Sequence, residues 1–402
     1  MPRLPITFPL FDQDEIANVQ ACLESKWVTQ GPFTTLFEKR FAERHQVTHA
    51  LATTSCTAAL HLATSALGLK PGDEVIVPAF TWVTSAHCAE YVGAKVVFAD
   101  IETATYNLDP AALAQAITAR TKAIVVVHLF GLAARMKEIL NIAGKHQIRV
   151  IEDAACAVGT TYQGRPVGGH GDLGCFSFHP RKVITTGEGG MVATNQQPLA
   201  QRVASLRNHG AAVGVPGPHA APSKPHTMGE FNIMGYNLRL SDIQAAVGVA
   251  QLRKLDRLLA ERRKLADGYL HKLADCEEIV LPVIPTDCGH SFQSFVVRMK
   301  SGSISERNAL MEHLETQGIQ TRPGTHAVHR LGYYVQKYRI KPGEFPVAAK
   351  AEDTTITLPL FPGMTEEDQM RVVVQLKQGL VTMKRRVTFS APELSAAKTS
   401  AA

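Results

Sequence analysis

Arg149-Val150-Ile151-Glu152-Asp153 reads as a short β-strand that runs into two carboxylates. Upstream lie three similar apolar runs: Glu74-Val75-Ile76-Val77, Lys95-Val96-Val97-Phe98 and Ala123-Ile124-Val125-Val126-Val127. Downstream lies a fourth, Cys175-Phe176-Ser177-Phe178, and helical patterns fall between the runs at residues 110–118 and 136–146. From Val47 to Thr194, strands and helices alternate, which predicts βαβ units and a mainly parallel sheet. Ligands in such α/β sheets bind at the carboxyl ends of the strands, where Asp153 would sit. Taken alone, the carboxylate pair suits a helix cap or a salt-bridged strand end at least as well.

The chain has 402 residues, enough for two to three units and a full core. Its composition is 45% hydrophobic and 19% charged, which excludes a disordered, collagen-like or disulfide-stapled chain. The net charge of +6 is small, and the basic clusters Arg262-Arg263-Lys264 and Lys384-Arg385-Arg386 sit in helical patterns. No aromatic-interleaved basic stripe accompanies them, so no nucleic-acid partner is expected. Seven cysteines, odd in number and scattered, with no C-x-x-C, suggest reduced thiols in a cytoplasmic protein and no metal site. Met1-Pro2-Arg3 soon meets Asp12, Asp14 and Glu15, a poor start for a signal peptide. No apolar run approaches the roughly 18 residues of a membrane span.

Residues 211–225 are rich in Gly, Pro, Ala and His and read as a long loop, a type of segment that is often functional. Residues 241–274 form a long helical pattern expected to link two units. Beyond about residue 277, a strand pattern at 295–299 and helical patterns at 306–317 and 366–384 imply a smaller α+β unit. The expected division is 1–250 for the large domain, 251–390 for the small domain with its linking helix, and 391–402 for a disordered tail.

Three further motifs bear on chemistry besides the strand that ends at Asp153. Gly169-His170-Gly171-Asp172-Leu173-Gly174 matches G-x-G-x-x-G, but a strand follows it where a dinucleotide fingerprint needs a helix, so it reads as a turn. Lys182, in Phe176-Ser177-Phe178-His179-Pro180-Arg181-Lys182, precedes the glycine-rich turn Thr185-Thr186-Gly187-Glu188-Gly189-Gly190. Partial burial beside Arg181 would lower its pKa and suit it to a Schiff base, whereas most lysines are simply exposed. Thr53-Thr54-Ser55-Cys56-Thr57 leads into a helical run, which is either a phosphate site or plain capping by Ser55. With Trp82 and Asp153, these pieces occur in the order that pyridoxal phosphate needs: phosphate cradle, stacking aromatic, ring-nitrogen carboxylate and aldehyde-binding lysine.

The chain resembles the DegT/DnrJ/EryC1/StrS family of sugar aminotransferases, fold type I pyridoxal phosphate enzymes. The resemblance rests on Trp27-Val28-Thr29-Gln30-Gly31-Pro32, Gly72-Asp73-Glu74-Val75-Ile76, Glu152-Asp153-Ala154-Ala155, the stretch ending at Lys182, Glu188-Gly189-Gly190, Gly235-Tyr236-Asn237 and Leu358-Pro359-Leu360. It implies a large domain with a mainly parallel seven-stranded sheet and a smaller C-terminal α/β domain. It implies Lys182 as catalytic Schiff-base lysine and proton carrier, Asp153 on the pyridine nitrogen and Trp82 on the ring. Thr57 and Ser177, with Cys56 in the same loop, would hold the phosphate, and Asn237 would reach the cofactor of a partner in a homodimer with shared active sites. The family usually has Gly or Ala where Cys56 stands. Where Cys156 stands, it has Gln or His facing the ring hydroxyl, for which a thiol is a weak partner.

The motif pattern is similar to the branch that aminates C4 of nucleotide-linked 4-keto-6-deoxy sugars, perosamine synthases included. L-glutamate is the implied donor, and the cofactor would cycle between pyridoxal and pyridoxamine phosphate. Thr29, Glu188, His209, His326, His329 and the 211–225 loop are candidate substrate contacts, though each histidine suits a structural role equally. A cyclitol (inosose) or 3-ketosugar aminotransferase is the nearest alternative. A sugar dehydratase is disfavoured because the best known have His at the position of Lys182. A non-catalytic regulator could shed Asp153 and Lys182, yet both are present.

Overall fold

The computed structural model describes residues 3–212 and 228–389. Most of the 211–225 loop and the 391–402 tail lie outside the described residues. Seven strands form the main sheet: β1 (His49–Thr53), β2 (Glu74–Pro78), β3 (Lys95–Ala99), β4 (Thr121–Val127), β5 (Arg149–Asp153), β6 (Leu173–Ser177) and β7 (Gly190–Thr194). Their spatial order is β1-β7-β6-β5-β4-β2-β3. The pairs from β6 to β3 are parallel, whereas β7 runs antiparallel to both β6 and β1. The sheet is therefore α/β and mainly parallel, as the alternation from Val47 to Thr194 predicts.

Both faces of the sheet are buried, which is why its strands read as near-continuous apolar runs. Side chains alternate between the faces. Val75, Val77, Val125 and Ile151 enter one core, and Ile76, Ile124, Val126 and Val150 enter the other. A third core surrounds a small sheet of β8 (Ile279–Val280), β9 (Phe295–Met299) and β10 (Thr355–Leu358). The chain's first residues cross to this region, where Leu4 bridges Ile319 and joins the third core.

The 241–274 pattern is not one helix. It breaks into Asp242–Arg253 and Leu255–Lys272, with the Lys254 amide closing a turn onto the Gln251 carbonyl at 3.1 Å. At the break, the buried Lys254 ammonium is tied to a distant partner: it lies 2.6 Å from Glu15 and 2.5 Å from Asp12, at the start of the first helix. Helical periodicity does not register that tie.

His45 is enclosed between Phe41, stacked at 3.9 Å, and the edge of Phe176. Burial lowers its pKa from 6.5 to about 3, and burial does the same to His290. The unfolded chain thus binds protons that the folded chain refuses, so stability is full above the ordinary value and falls as pH drops from 6.5 toward 3. His45→Phe keeps the stacking and removes the titration. Its loss in melting temperature between about pH 7 and pH 5 is expected to be smaller than that of the parent protein.

Candidate active site

The register sets Val127 opposite Asp153 and Asp153 opposite Cys175, so β4 and β5 end level and β6 runs two residues further to Ser177. The Asp153 carboxylate accepts from the Ser85 hydroxyl at 2.7 Å and the Ala155 amide at 3.1 Å, and Ser85 in turn lies 2.9 Å from the Thr81 hydroxyl. Asp153 has no salt bridge among the described residues, unlike a salt-bridged strand end. Burial pushes its carboxyl upward, and the Ser85 bond only partly offsets this. Such a carboxylate stays ionised best beside a cationic group.

Its neighbour Glu152 serves the fold. It accepts amide hydrogens from Gly168, His170 and Gly171 at 2.6–2.7 Å. It also lies 2.9 Å from His128 Nε2. The Ala134 amide donates to His128 Nδ1 at 3.1 Å, so Nε2 carries the proton that Glu152 receives. The G-x-G-x-x-G stretch is a turn, as expected, and its amides bind this internal carboxylate in place of a nucleotide phosphate.

Lys182 follows β6 in a loop that hydrogen bonds close. The Lys182 amide bonds to the His179 carbonyl at 2.8 Å, and the Thr185 hydroxyl and Thr186 amide both bond to the Phe178 carbonyl. Lys182 Nζ lies 3.1 Å from Cys156 Sγ. The expected lowering of its pKa by burial and Arg181 is not found. Burial does push it down, but Cys156, Cys56 and Asp153 outweigh burial, and the net direction is up. The ammonium must therefore lose a proton before the amine can attack an aldehyde. Cys156→Ala removes the largest raising influence, so covalent capture of added aldehyde cofactor near pH 7 is expected to be faster, read as growth of the visible band.

The helix Cys56–Ala66 starts at Ser55, whose hydroxyl accepts from the Ala58 amide at 3.1 Å. Capping and anion binding are thus compatible here. The amides of Cys56 and Thr57 have no acceptor among the described residues, as first-turn amides do not. Gly190 explains the glycine-rich turn, because a Cβ there would lie 2.4 Å from the Ser55 backbone and 2.7 Å from the Cys56 amide nitrogen. Only glycine lets β7 pass beneath this loop.

These groups line one cavity of about 530 Å³, a size usual for ligand sites. Cys56, Thr57, Trp82, Asp153, Cys156, Lys182 and His326 line it. Trp82 is 53% exposed, with its ring 5.4 Å from that of His326. Ser177 is buried at the end of β6 and, with Asn237, Thr29, Glu188 and His209, is not among the lining residues. His329 is buried against Phe345, with ring centroids 4.9 Å apart, and also lies outside the cavity. Ser85, His128 and Arg322 went unnoticed in the sequence. A second hollow of about 550 Å³ lies over the outer strand β1 and shares no lining residue with this cavity.

Residues 9–377 match the DegT/DnrJ/EryC1/StrS aminotransferase family. The chain belongs to that family. It is 39% identical over 383 residues to the GDP-perosamine synthase of Caulobacter vibrioides, covering 95% of this chain and 99% of that one. Among solved structures, S. venezuelae DesV is 32% identical with a TM-score of 0.85, covering 94% of this aminotransferase and 98% of DesV. Spr1654 of Streptococcus pneumoniae, provisionally described as a sugar aminotransferase and solved in its PMP form, is 28% identical with a TM-score of 0.89, over 95% of this chain and 100% of Spr1654.

The residues of this aminotransferase fit a pyridoxal group on their own chemistry. A buried carboxylate without a cationic partner suits a pyridinium, a helix start with open amides suits a phosphate, and a lysine between them suits an aldehyde.

Proposed function

We propose that this aminotransferase moves an amino group from L-glutamate to C4 of a nucleotide-linked 4-keto-6-deoxy sugar. The observation that carries the reading is the meeting of Lys182, Asp153 and the first turn of Cys56–Ala66 in one cavity at the strands' carboxyl ends. The identity to a GDP-perosamine synthase supports the choice of sugar. Bound here, pyridoxal 5'-phosphate supplies an aldehyde and an electron-withdrawing ring.

Lys182 Nζ would hold that aldehyde, and its amine would serve as the proton carrier of the site. Asp153, held in place by Ser85, would receive the ring nitrogen. Trp82 would shield the ring from water. The amides of Cys56 and Thr57, with the hydroxyls of Thr57 and Ser177, would hold the phosphate, and the Cys156 thiol would serve the ring hydroxyl. Glutamate leaves as its 2-oxo acid while the sugar's keto carbon gains the amine, so the cycle needs no outside oxidant.

The working unit is a homodimer in the cytoplasm, with Asn237 reaching the partner's cofactor. Exposed Met228, Phe231 and Met234 lie on the segment leading to Asn237 and support a covered face there. All seven cysteines are free, which suits a reducing compartment. Among the described residues, no helix is long and apolar enough to cross a membrane. His326 contacts substrate within its own chain. His329, Thr29, Glu188 and His209 stay candidate substrate contacts, although none of them lines the cavity. We also read 1–250 and 251–390 as the two domains, with the first residues lent to the second.

The test is incubation with L-glutamate and a nucleotide-linked 4-keto-6-deoxy sugar, following amino-sugar and 2-oxoglutarate together by mass spectrometry. Equal yields of the two are expected. Yield only with a 3-ketosugar or an inosose would move the assignment to those substrates, and loss of water from the sugar without amine would mean a dehydratase.

A further inference from the structure

We propose that Arg322, together with Arg181, is a receptor for an oxyanion carried by the substrate: the carboxylate of the amino donor or the diphosphate of the nucleotide sugar. The inference rests on the proposed function for the identity of those two substrates. Among the described residues that line the main cavity, Asp153 is the one carboxylate, against the cations Arg181, Lys182 and Arg322. Asp153 and Lys182 are committed to the cofactor, which leaves two guanidinium groups uncompensated. Neither guanidinium forms an ion pair or hydrogen bond among the described residues. Other arginines do carry a carboxylate partner: Arg207 with Glu38 at 2.6 Å, Arg330 with Asp353 at 2.7 Å and Arg120 with Glu74 at 2.8 Å.

The backbone beneath Arg322 is held, although its side chain is free. Its amide bonds to the Thr357 carbonyl at 3.4 Å, and the Thr357 amide returns a bond to the Arg322 carbonyl at 2.6 Å. Pro323 fixes the next φ, and Gly324 packs so closely that a Cβ would lie 2.7 Å from Thr355 Oγ1 and 3.1 Å from the Phe130 ring. Arg181 is held likewise, its amide donating to His179 Nδ1 at 3.2 Å and its carbonyl accepting from Gln293 Nε2 at 2.9 Å. Both arginines line the same cavity, together with His179. A fixed backbone presenting an unpaired planar guanidinium to a cavity suits bidentate binding of a carboxylate or phosphate.

The experiment compares the cofactor-loaded parent enzyme with Arg322→Gln and Arg322→Lys, after checking equal cofactor loading and melting temperature. Three quantities are measured: the L-glutamate concentration that half-bleaches the cofactor band, the affinity for GDP by calorimetry, and the affinity for inorganic pyrophosphate. Arg322→Gln is expected to weaken pyrophosphate binding by roughly 10- to 100-fold, with Arg322→Lys in between. A matching loss for glutamate names the carboxylate as the natural ligand, and one for GDP names the diphosphate. Unchanged values in every arm, or no pyrophosphate binding to the parent enzyme, would overturn the proposal. Full retention by Arg322→Lys would reduce Arg322 to a diffuse positive charge and overturn it too. A parent enzyme inert toward glutamate would instead sink the functional reading, and the pyrophosphate arm would still judge the anion site.

Discussion

Lys182→Ala is expected to lower turnover by roughly 10⁴-fold or more, the combined size of a lost nucleophile and a lost proton carrier. Lys182 is the only lysine among the described residues that line the cavity. The loss should appear in the chemical step, with substrate affinity changed much less. Borohydride reduction separates this account from a structural one. It should fix the cofactor's mass to the peptide containing Lys182 in the parent enzyme and to no peptide in the variant. Turnover within tenfold of the parent would show that another group does the chemistry.

Asp153→Asn is expected to cost roughly 10² to 10³ in turnover while leaving the cofactor-free protein as stable as the parent or more so. The sign follows from burial. The folded state raises the Asp153 pKa above its ordinary 3.8, so the ionised carboxylate opposes folding at neutral pH. Asparagine removes that cost and still accepts from Ser85. It cannot hold a proton on the ring nitrogen, so the ring withdraws electrons less well. Stability kept while activity falls is the mark of a group retained for function at some expense to folding. Melting curves without cofactor and initial rates with it test both halves. A large fall in melting temperature would assign Asp153 to the fold.

The sheet was legible because both its faces are buried, which makes β2, β4 and β5 continuous apolar runs. Asp153 could be placed because the chain must emerge from β5 at the ligand-binding edge. Lys182 was legible through the motif around it, though not in its electrostatics: Cys156 is 26 residues away in sequence, yet their side-chain atoms are 3.1 Å apart. What escaped is what depends on distant partners. Ser85 bonds to Asp153 across 68 positions, and Lys254, at the break between two helices, reaches Glu15 across 239. His326 and His329 looked equivalent in sequence. In the structure, the first pairs with Thr81 at the cavity wall and the second turns into the core beside Phe345. Sequence spacing alone does not say which side of an extended segment meets a cavity.

The central claim is that Lys182 and Asp153 form a cofactor site that accepts an amine from glutamate. A visible absorbance spectrum of the cofactor-loaded protein, recorded while L-glutamate is titrated in, tests it most directly. The account predicts a visible band that bleaches with glutamate and returns on addition of 2-oxoglutarate. A band that persists through the titration, or none after cofactor is supplied, would contradict it.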